Sequence, residues 1–252
     1  MTVNTIVELP DFEGWYLIGA YPDGEPGDVG SWLLVHDGEA LLLEVPEGLA
    51  VQDVTDALDE MEATLCYVTA SHDHYDHLDT EAWDALIVAF PDAEFLHPSG
   101  VQGDHLLYVG DEPVWLIKAP KHSLTDVVTV FRGVAMTGDI ELGMLASVNN
   151  EVPGPTKVRS MNWLRGFQDR AGYQVHSIVS AHLNDVRVSI QWVDLFRCPE
   201  VRQAPGRRSQ CRRYGCWGRL VPMEPDPVRL GCFFDMICED CACPEWSDPR
   251  KV

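Results

Sequence analysis

The chain has 252 residues, 46% of them hydrophobic and 9% aromatic, which is enough for one ordinary domain with a modest appendage and excludes general disorder. Its 18 basic residues against 40 acidic ones give a formal net charge of −22, and a surface this negative argues against a nucleic-acid binder. No apolar run is long enough to span a bilayer, and the first residues lack the basic and apolar segments of a secretory signal. The sequence therefore predicts a cytoplasmic protein with no membrane span.

The composition changes sharply near residue 197. Residues 1–197 hold nine basic and thirty-two acidic residues, a net of −23, whereas residues 198–252 hold nine basic and eight acidic ones, a net of +1. Seven of the eight cysteines also lie after residue 197. We therefore predict a domain at 1–197 and a Cys-rich extension at 198–252. The acidic first part is typical of a salt-adapted cytoplasm, where screening removes self-repulsion, and equally of an acidic mesophilic protein.

Residues 1–197 alternate between two hydrophobic patterns. Apolar runs bounded by Gly, Asp and Pro predict strands at 15–19, 31–36, 40–45, 64–71, 94–97, 105–109, 114–118, 126–131, 134–137 and 176–180. Helical spacing of apolar residues predicts helices at 50–61, 79–90, 157–170 and 186–196. The helix at 79–90 opens with Asp79 and Thr80 and carries Glu81, which is typical of a capped helix start. Strands in two long groups, each followed by helices, predict two sheets with helices packed outside.

Three histidines and an aspartate follow the strand at 64–71 within six positions, as His72, His74, Asp76 and His77. Residues two apart in extended backbone project the same way, so His72 and His74 can reach one ion together. A turn after them would let Asp76 and His77 face a second ion. Imidazole nitrogens and carboxylate oxygens are common zinc ligands, so the loop predicts a metal site.

Three later residues are candidate partners of this loop. His122 precedes the strand at 126–131, Asp139 follows the apolar run VAM in a Gly-Asp pair, and His182 follows the strand at 176–180. Each is a ligand-type side chain at or beside a strand end, where α/β folds place active-site groups.

The ordered set resembles the signature of the metallo-β-lactamase superfamily: His-x-His-x-Asp-His, a histidine, a Gly-Asp pair and a final histidine. The resemblance covers residues 13–196 and implies a four-layer αββα sandwich of the α/β class. It implies a first metal held by His72, His74 and His122, and a second held by Asp76, His77 and His182. Asp139 would bridge the two ions.

The resemblance implies two zinc ions per chain, with iron or manganese as alternatives. Two divalent ions that share a water lower its pKa toward neutrality, so that hydroxide forms at pH 7. Asp76 would be the catalytic residue that orients this nucleophile. The segments around His122, Asp139 and His182 are similar to those of the glyoxalase II-like branch, which implies a small-molecule thioester, ester or lactone as substrate.

Three alternatives stay open. The loop also resembles that of phospholipase D-type zinc phosphodiesterases, which cleave acylethanolamine phospholipids. Sulfur dioxygenases keep the motif but use a single iron. A non-catalytic member would use the metals structurally or the extension for binding. The cysteines of that extension indicate either a zinc cluster or an unordered segment, and the sequence does not give the oligomeric state.

The chain departs from the family pattern at three positions beside the ligands. Lys121 replaces a glycine, Leu183 follows the last histidine in place of glycine, and Glu44 stands where the first hairpin normally has aspartate. Ser71, Asp73 and Asp79 are candidate hydrogen-bond partners for the ring nitrogens that face away from the metals. Tyr75 is expected to pack beneath the loop, with donation to an oxyanion as the alternative.

Overall fold

The computed structural model describes residues 7–8, 12–22, 28–140, 151–182, 191–196, 220–222 and 236–238. The strands in these residues are β1 (Val7–Glu8), β2 (Trp15–Pro22), β3 (Asp28–His36), β4 (Glu39–Leu43), β5 (Thr64–Thr69), β6 (Glu94–Leu96), β7 (Asp104–Val109), β8 (Glu112–Lys118), β9 (Val127–Phe131), β10 (Val134–Met136), β11 (Ser177–Val179), β12 (Leu220–Pro222) and β13 (Met236–Cys238). The α-helices are α1 (Val51–Glu60), α2 (Thr80–Ala89), α3 (Gly154–Arg165) and α4 (Phe167–Ala171), and 3-10 turns lie at Pro98–Gly100 and Trp192–Phe196.

Two sheets form the body of the protein. The first sheet has the order β1-β2-β3-β4-β5-β6, antiparallel from β1 to β4 and parallel from β4 to β6. The second has the order β11-β10-β9-β8-β7, antiparallel from β7 to β10, with β11 parallel to β10. Each sheet thus ends in a parallel pair, and side chains that follow such strands meet at one sheet edge.

Three apolar clusters show how the layers stack. The central cluster joins both sheets, with Trp15 and Trp32 from the first against Phe131 from the second. A second cluster packs α1 and α2 on the outer face of the first sheet, and a third packs α3, α4 and the last 3-10 turn on the outer face of the second. The order is therefore helix, sheet, sheet, helix, which confirms the four-layer αββα sandwich predicted from the sequence.

Most predicted elements are confirmed to within three residues at each end. The predicted start of α2 is also confirmed, because Asp79 is its N-cap and accepts a hydrogen bond from the Ala82 N–H at 2.8 Å. One helix was predicted at 157–170, but the structure has two, α3 and α4, which meet at Gly166. Glycine is a poor helix former, which favours an interruption of the helix at this position.

The C-terminal part of the sequence is described only in short stretches. Of the helix predicted at 186–196, residues 192–196 form a 3-10 turn, and residues 186–190 lie outside the described ranges. In the extension, β12 pairs antiparallel with β13, and the remaining residues of 198–252 lie outside the described ranges. The boundary at 197 and the cysteine zinc cluster therefore stay predictions. No helix in the described part of the chain has the length and apolar character to cross a membrane.

Candidate metal centre

The loop that carries the first histidines leaves the end of β5 and is held against the end of β4. Its tight turn is closed by hydrogen bonds from the backbone N–H groups of His77 and Leu78 to the carbonyl of His74, at 3.0 and 2.8 Å. The Val45 N–H donates to the His77 carbonyl at 2.9 Å, and the Asp79 N–H donates to the Val45 carbonyl at 2.7 Å. The side chains of the loop fall into two candidate groups of metal ligands.

The first set consists of His72, His74 and His122. The His72 Nε2 and His74 Nδ1 atoms lie 3.1 Å apart. The ring of His122 is 5.2 Å from that of His72 and 5.1 Å from that of His74, centroid to centroid. One nitrogen from each of the three rings falls within 4.8 Å of the others, which is close enough for a single ion to contact all three.

The second set consists of Asp76, His77 and His182, whose ligand atoms also lie within 4.8 Å of one another. The His77 Nε2 is 3.4 Å from Asp76 Oδ2, and the His182 Nε2 is 3.8 Å from the same oxygen. His77 is fully buried, whereas Asp76 and His182 are half-buried and open toward solvent. The side chains of Asp76 and His182 are 17% and 20% exposed, so this set is partly accessible to solvent.

Asp139 lies between the two sets. Its Oδ1 is 3.3 Å from both His77 Nε2 and His182 Nε2, and its Oδ2 is 3.7 Å from His122 Nε2. Although burial would raise it, the pKa of the Asp139 carboxyl is held far below its usual range by His182 and His77. A carboxylate that presents one oxygen to each set has the arrangement of a bridging ligand.

The second sheet delivers Asp139 and His182 to the same place because their strands are parallel neighbours. The Thr137 N–H donates to the Val179 carbonyl at 2.9 Å, which aligns the ends of β10 and β11. His182 then pairs with Val29 of β3 in an isolated antiparallel bridge. Between Thr137 and Asp139 the chain passes through Gly138 at a φ of +54°, a conformation that favours glycine.

A buried carboxylate shapes the turn that presents His122. Asp126 Oδ2 accepts hydrogen bonds from the backbone N–H groups of Lys121, His122 and Ser123, at 2.8, 2.6 and 2.9 Å. Burial raises the pKa of Asp126 to about 6, against the opposing effect of these hydrogen bonds. The side chain of Lys121, one of the departures from the motif that the sequence resembles, is completely buried. Leu183, another departure, lies outside the described residues.

Two contacts orient the rings of His77 and His72. Glu44 is fully buried, and its Oε2 lies 3.4 Å from His77 Nδ1, the nitrogen that faces away from Asp139. Although burial opposes the charged form, Glu44 and Asp139 raise the pKa of His77 well above its usual value. Ser71 Oγ lies 3.0 Å from His72 Nδ1. Burial and the neighbouring His77 lower the pKa of His72 well below its usual value, which leaves a neutral ring with a lone pair.

Other residues near the loop differ from expectation. Of the three candidate partners for the outward ring nitrogens, Ser71 contacts His72, whereas Asp73 binds Thr125 at 2.6 Å and Asp79 caps α2. The expectation that Tyr75 packs beneath the loop is wrong, because the side chain is 66% exposed. The turn at 74–78 directs it outward, since the buried side of the turn is filled by His77 and Leu78.

Sequence reasoning missed one residue beside the first set. Glu151 Oε1 lies 3.4 Å from His74 Nε2, the ring nitrogen opposite the one that faces His72. Glu151 belongs to no sequence motif and lies two residues before Pro153, the N-cap of α3. The local sequence therefore does not identify it as part of the site. Only the tertiary fold, which brings the start of α3 over the loop, reveals the contact.

The donor set fits one or two divalent metal ions. Five imidazoles and two carboxylates converge, which are the ligand types that zinc prefers among nitrogen and oxygen donors. The His77 Nε2 and Asp139 Oδ1 atoms are buried without an aligned hydrogen bond, although they lie 3.3 Å apart. Buried polar atoms are normally hydrogen-bonded, and a cation that contacts both of these atoms would satisfy them, so the pair fits a metal site.

Comparison with known proteins supports the fold alone. No family model matches the sequence, and neither does any curated protein. The chain is similar to the crystal structure of a metallo-β-lactamase from Staphylococcus aureus subsp. aureus COL, with a TM-score of 0.50 and 14% identity over 71% of this chain and 56% of that one. It is also similar to ETHE1 from Myxococcus xanthus, with a TM-score of 0.47 and 17% identity over 65% of this chain and 74% of that one.

The layers, the sheet order and the first of these likenesses define the class: the chain has the metallo-β-lactamase fold. Within that class it carries five histidines and two aspartates grouped where they could hold metal ions.

Proposed function

We propose that this protein is a metal-dependent hydrolase that cleaves a thioester, ester or lactone of a small molecule at a two-zinc centre in residues 1–197. The observation that carries the proposal is the position of Asp139, whose two carboxylate oxygens face different sets of ligands. A site for one ion needs no such shared carboxylate. When bound, a pair of zinc ions supplies Lewis acidity and lowers the pKa of water toward neutrality.

The residues of the centre divide the remaining work. His72, His74 and His122 would hold one ion and Asp76, His77 and His182 the other. Asp76 is half-buried at the open side of the second set, so its carboxylate can also accept a hydrogen bond from the attacking water and fix its orientation. Glu44 keeps the His77 Nε2 directed at the centre by contacting the opposite ring nitrogen.

The first test is the metal content of the full-length protein, measured by elemental mass spectrometry after purification without chelators. Two zinc ions per chain are expected, and a third would assign metal to the cysteines of the extension. One iron would move the proposal to oxygen chemistry, which oxygen uptake with glutathione persulfide would identify. A folded protein that holds no metal even after reloading would overturn the proposal.

The second test is hydrolysis by the zinc-loaded protein. Turnover of a thioester such as S-lactoylglutathione is expected, and cleavage of bis-p-nitrophenyl phosphate without any thioesterase activity would favour the phosphodiesterase instead. The Asp139→Ala variant should lose at least about 100-fold in kcat/KM, because both sets of ligands lose a shared member. The Asp92→Ala variant is the matched control, since Asp92 is exposed and lies outside the site. Full hydrolysis by the Asp139→Ala variant would show that the two sets do not act together.

A further inference from the structure

His74 contacts a different residue through each of its two ring nitrogens. Its Nδ1 is 3.1 Å from His72 Nε2 and so faces the first set of ligands, whereas its Nε2 is 3.4 Å from Glu151 Oε1. The ring plane is fixed by neighbours, because the His72 ring stands edge-on to it at 4.5 Å and the His122 ring at 5.1 Å. A flip of the ring about its Cβ–Cγ bond would carry both nitrogens away from these two partners.

A neutral imidazole carries one proton, and a hydrogen-bond acceptor at one nitrogen decides where that proton lies. With the carboxylate of Glu151 beside it, Nε2 is the nitrogen that keeps the proton, because a carboxylate is an acceptor only. Nδ1 then presents a lone pair to the centre that His72 and His122 share.

The position of Glu151 is set by the fold. The next residue, Val152, is buried with 1% of its surface exposed, and Pro153 begins α3 by accepting hydrogen bonds from the Thr156 and Lys157 N–H groups at 2.9 and 3.0 Å. The Glu151 side chain is 46% exposed, so removing it leaves the core intact. Glu44 makes a comparable contact with the ring of His77, but from a fully buried position.

We propose that Glu151 is a positioning residue, which holds His74 in the Nε2–H tautomer and thereby raises the affinity of the first ligand set for a divalent metal ion. This inference rests on the proposed function only in assuming that the first ligand set binds a metal ion. Glu151 contacts the ring nitrogen that faces away from His72, so it would act on the metal site through His74.

The test compares the full-length protein with its Glu151→Ala and Glu151→Gln variants and with Glu60→Ala as control, a change at an exposed glutamate at the end of α1. Long-range proton–nitrogen NMR correlations of the histidine rings, recorded at pH 8 without metal, report the tautomer of His74. We expect the Nε2–H form in the wild type and in Glu60→Ala, a mixture with the Nδ1–H form in Glu151→Ala, and recovery in Glu151→Gln, whose amide oxygen also accepts.

Zinc competition with a chromophoric chelator gives the second measurement. Glu151→Ala should weaken the binding of one zinc ion by about 10-fold, and Glu151→Gln by less. The same tautomer in every variant, or an unchanged zinc affinity in Glu151→Ala, would overturn the role of Glu151. A wild-type protein that binds no zinc would instead overturn the proposed function. The NMR measurement would still show whether Glu151 controls the tautomer of His74.

Discussion

Glu44 combines three features that rarely occur in one glutamate. It is completely buried, its backbone has a φ of +70°, and its carboxylate accepts hydrogen bonds from the Ser71 N–H at 3.2 and 3.3 Å while facing His77. A positive φ is uncommon outside glycine and persists only where the surroundings enforce it. The side chain thus joins the end of β4 to both ends of the metal-site loop.

Replacing Glu44 by alanine should lower the free energy of unfolding of the metal-free protein by about 3 kcal/mol, because the buried His77 ring loses its charged partner. Glu44→Gln keeps an acceptor for the Ser71 N–H and should lose less. Urea unfolding at pH 7 measures both, and Glu47→Ala, at an exposed position of the next turn, should change stability by less than about 0.5 kcal/mol. Equal stability of the Glu44 and Glu47 variants would contradict the role given to this carboxylate.

Gly138 lies against the side chain of Ser71, beside the candidate metal centre. A Cβ atom there would lie 2.5 Å from Ser71 Oγ and 2.6 Å from Ser71 Cβ, in addition to the unfavourable φ of +54°. Gly138→Ala should therefore destabilise the protein by more than the roughly 1–2 kcal/mol that a left-handed backbone costs an alanine. Gly103→Ala separates the two effects, because Gly103 has a φ of +62° but nothing within 4 Å of its added Cβ. Thermal unfolding of both variants is the measurement, and equal losses would rule out the clash with Ser71.

At the scale of elements, the turn after β8 depends on one carboxylate. Asp126→Ala would leave three buried N–H groups without their acceptor, so we expect a loss of about 3 kcal/mol in unfolding free energy. Asp126→Asn keeps an acceptor oxygen, so its loss of unfolding free energy should be smaller. Hydrogen exchange of the Lys121, His122 and Ser123 amides reports the turn directly, and unchanged protection in Asp126→Ala would show that it forms without the carboxylate.

Tyr173, in the connection between α4 and β11, contacts β8 and makes the stability of the protein depend on pH. Its hydroxyl donates to Glu112 Oε1 at 3.1 Å, and burial together with that carboxylate raises the pKa of Tyr173 to about 12. The folded state therefore holds this proton more tightly than the unfolded state, so the contribution is complete below about pH 10 and is lost as pH rises toward 12. Urea unfolding from pH 8 to 11 should show a steeper decline in the wild type than in Tyr173→Phe. Equal declines in the stability of the wild type and Tyr173→Phe would contradict this role of the Tyr173 hydroxyl.

The sequence predicts the strands better than the later helices, for a physical reason. Strands such as β9 are fully buried apolar runs between turn residues, so their pattern is local. The break at Gly166 depends on packing of α4 against the second sheet, since Phe167 fills the third cluster. A single glycine inside a helical pattern does not reveal such packing.

The same distinction applies to the centre. The histidine loop is a short motif, and His122, Asp139 and His182 are recognised by order and by their places at strand ends. Glu151 and Asp126 act through contacts with residues that no spacing predicts, the first across the fold and the second within a turn. Ligand candidates can thus be found from sequence, whereas the residues that orient them come from the structure.

At the scale of the whole molecule, the net charge of −22 opposes folding through self-repulsion. The Debye length falls from about 30 Å at 0.01 M salt to about 10 Å at 0.1 M, so added salt should stabilise the protein. We expect the urea midpoint to rise between 0.01 and 0.5 M sodium chloride. The same titration with potassium chloride is the control, because screening does not depend on the cation. A midpoint that stays constant or falls would show that the acidic residues are already compensated.

The seven candidate ligands come from both sheets. His72, His74, Asp76 and His77 follow β5 of the first sheet, and His122, Asp139 and His182 follow strands of the second. The sheets meet through contacts such as the hydrogen bond from Trp15 Nε1 to the Phe131 carbonyl at 3.2 Å. A chain cut in the connection at 97–103 would leave each fragment with an incomplete donor set. Zinc binding would then report the reassembly of the two fragments, as the activity of a split reporter enzyme does. Full zinc affinity should return only when the two fragments dock.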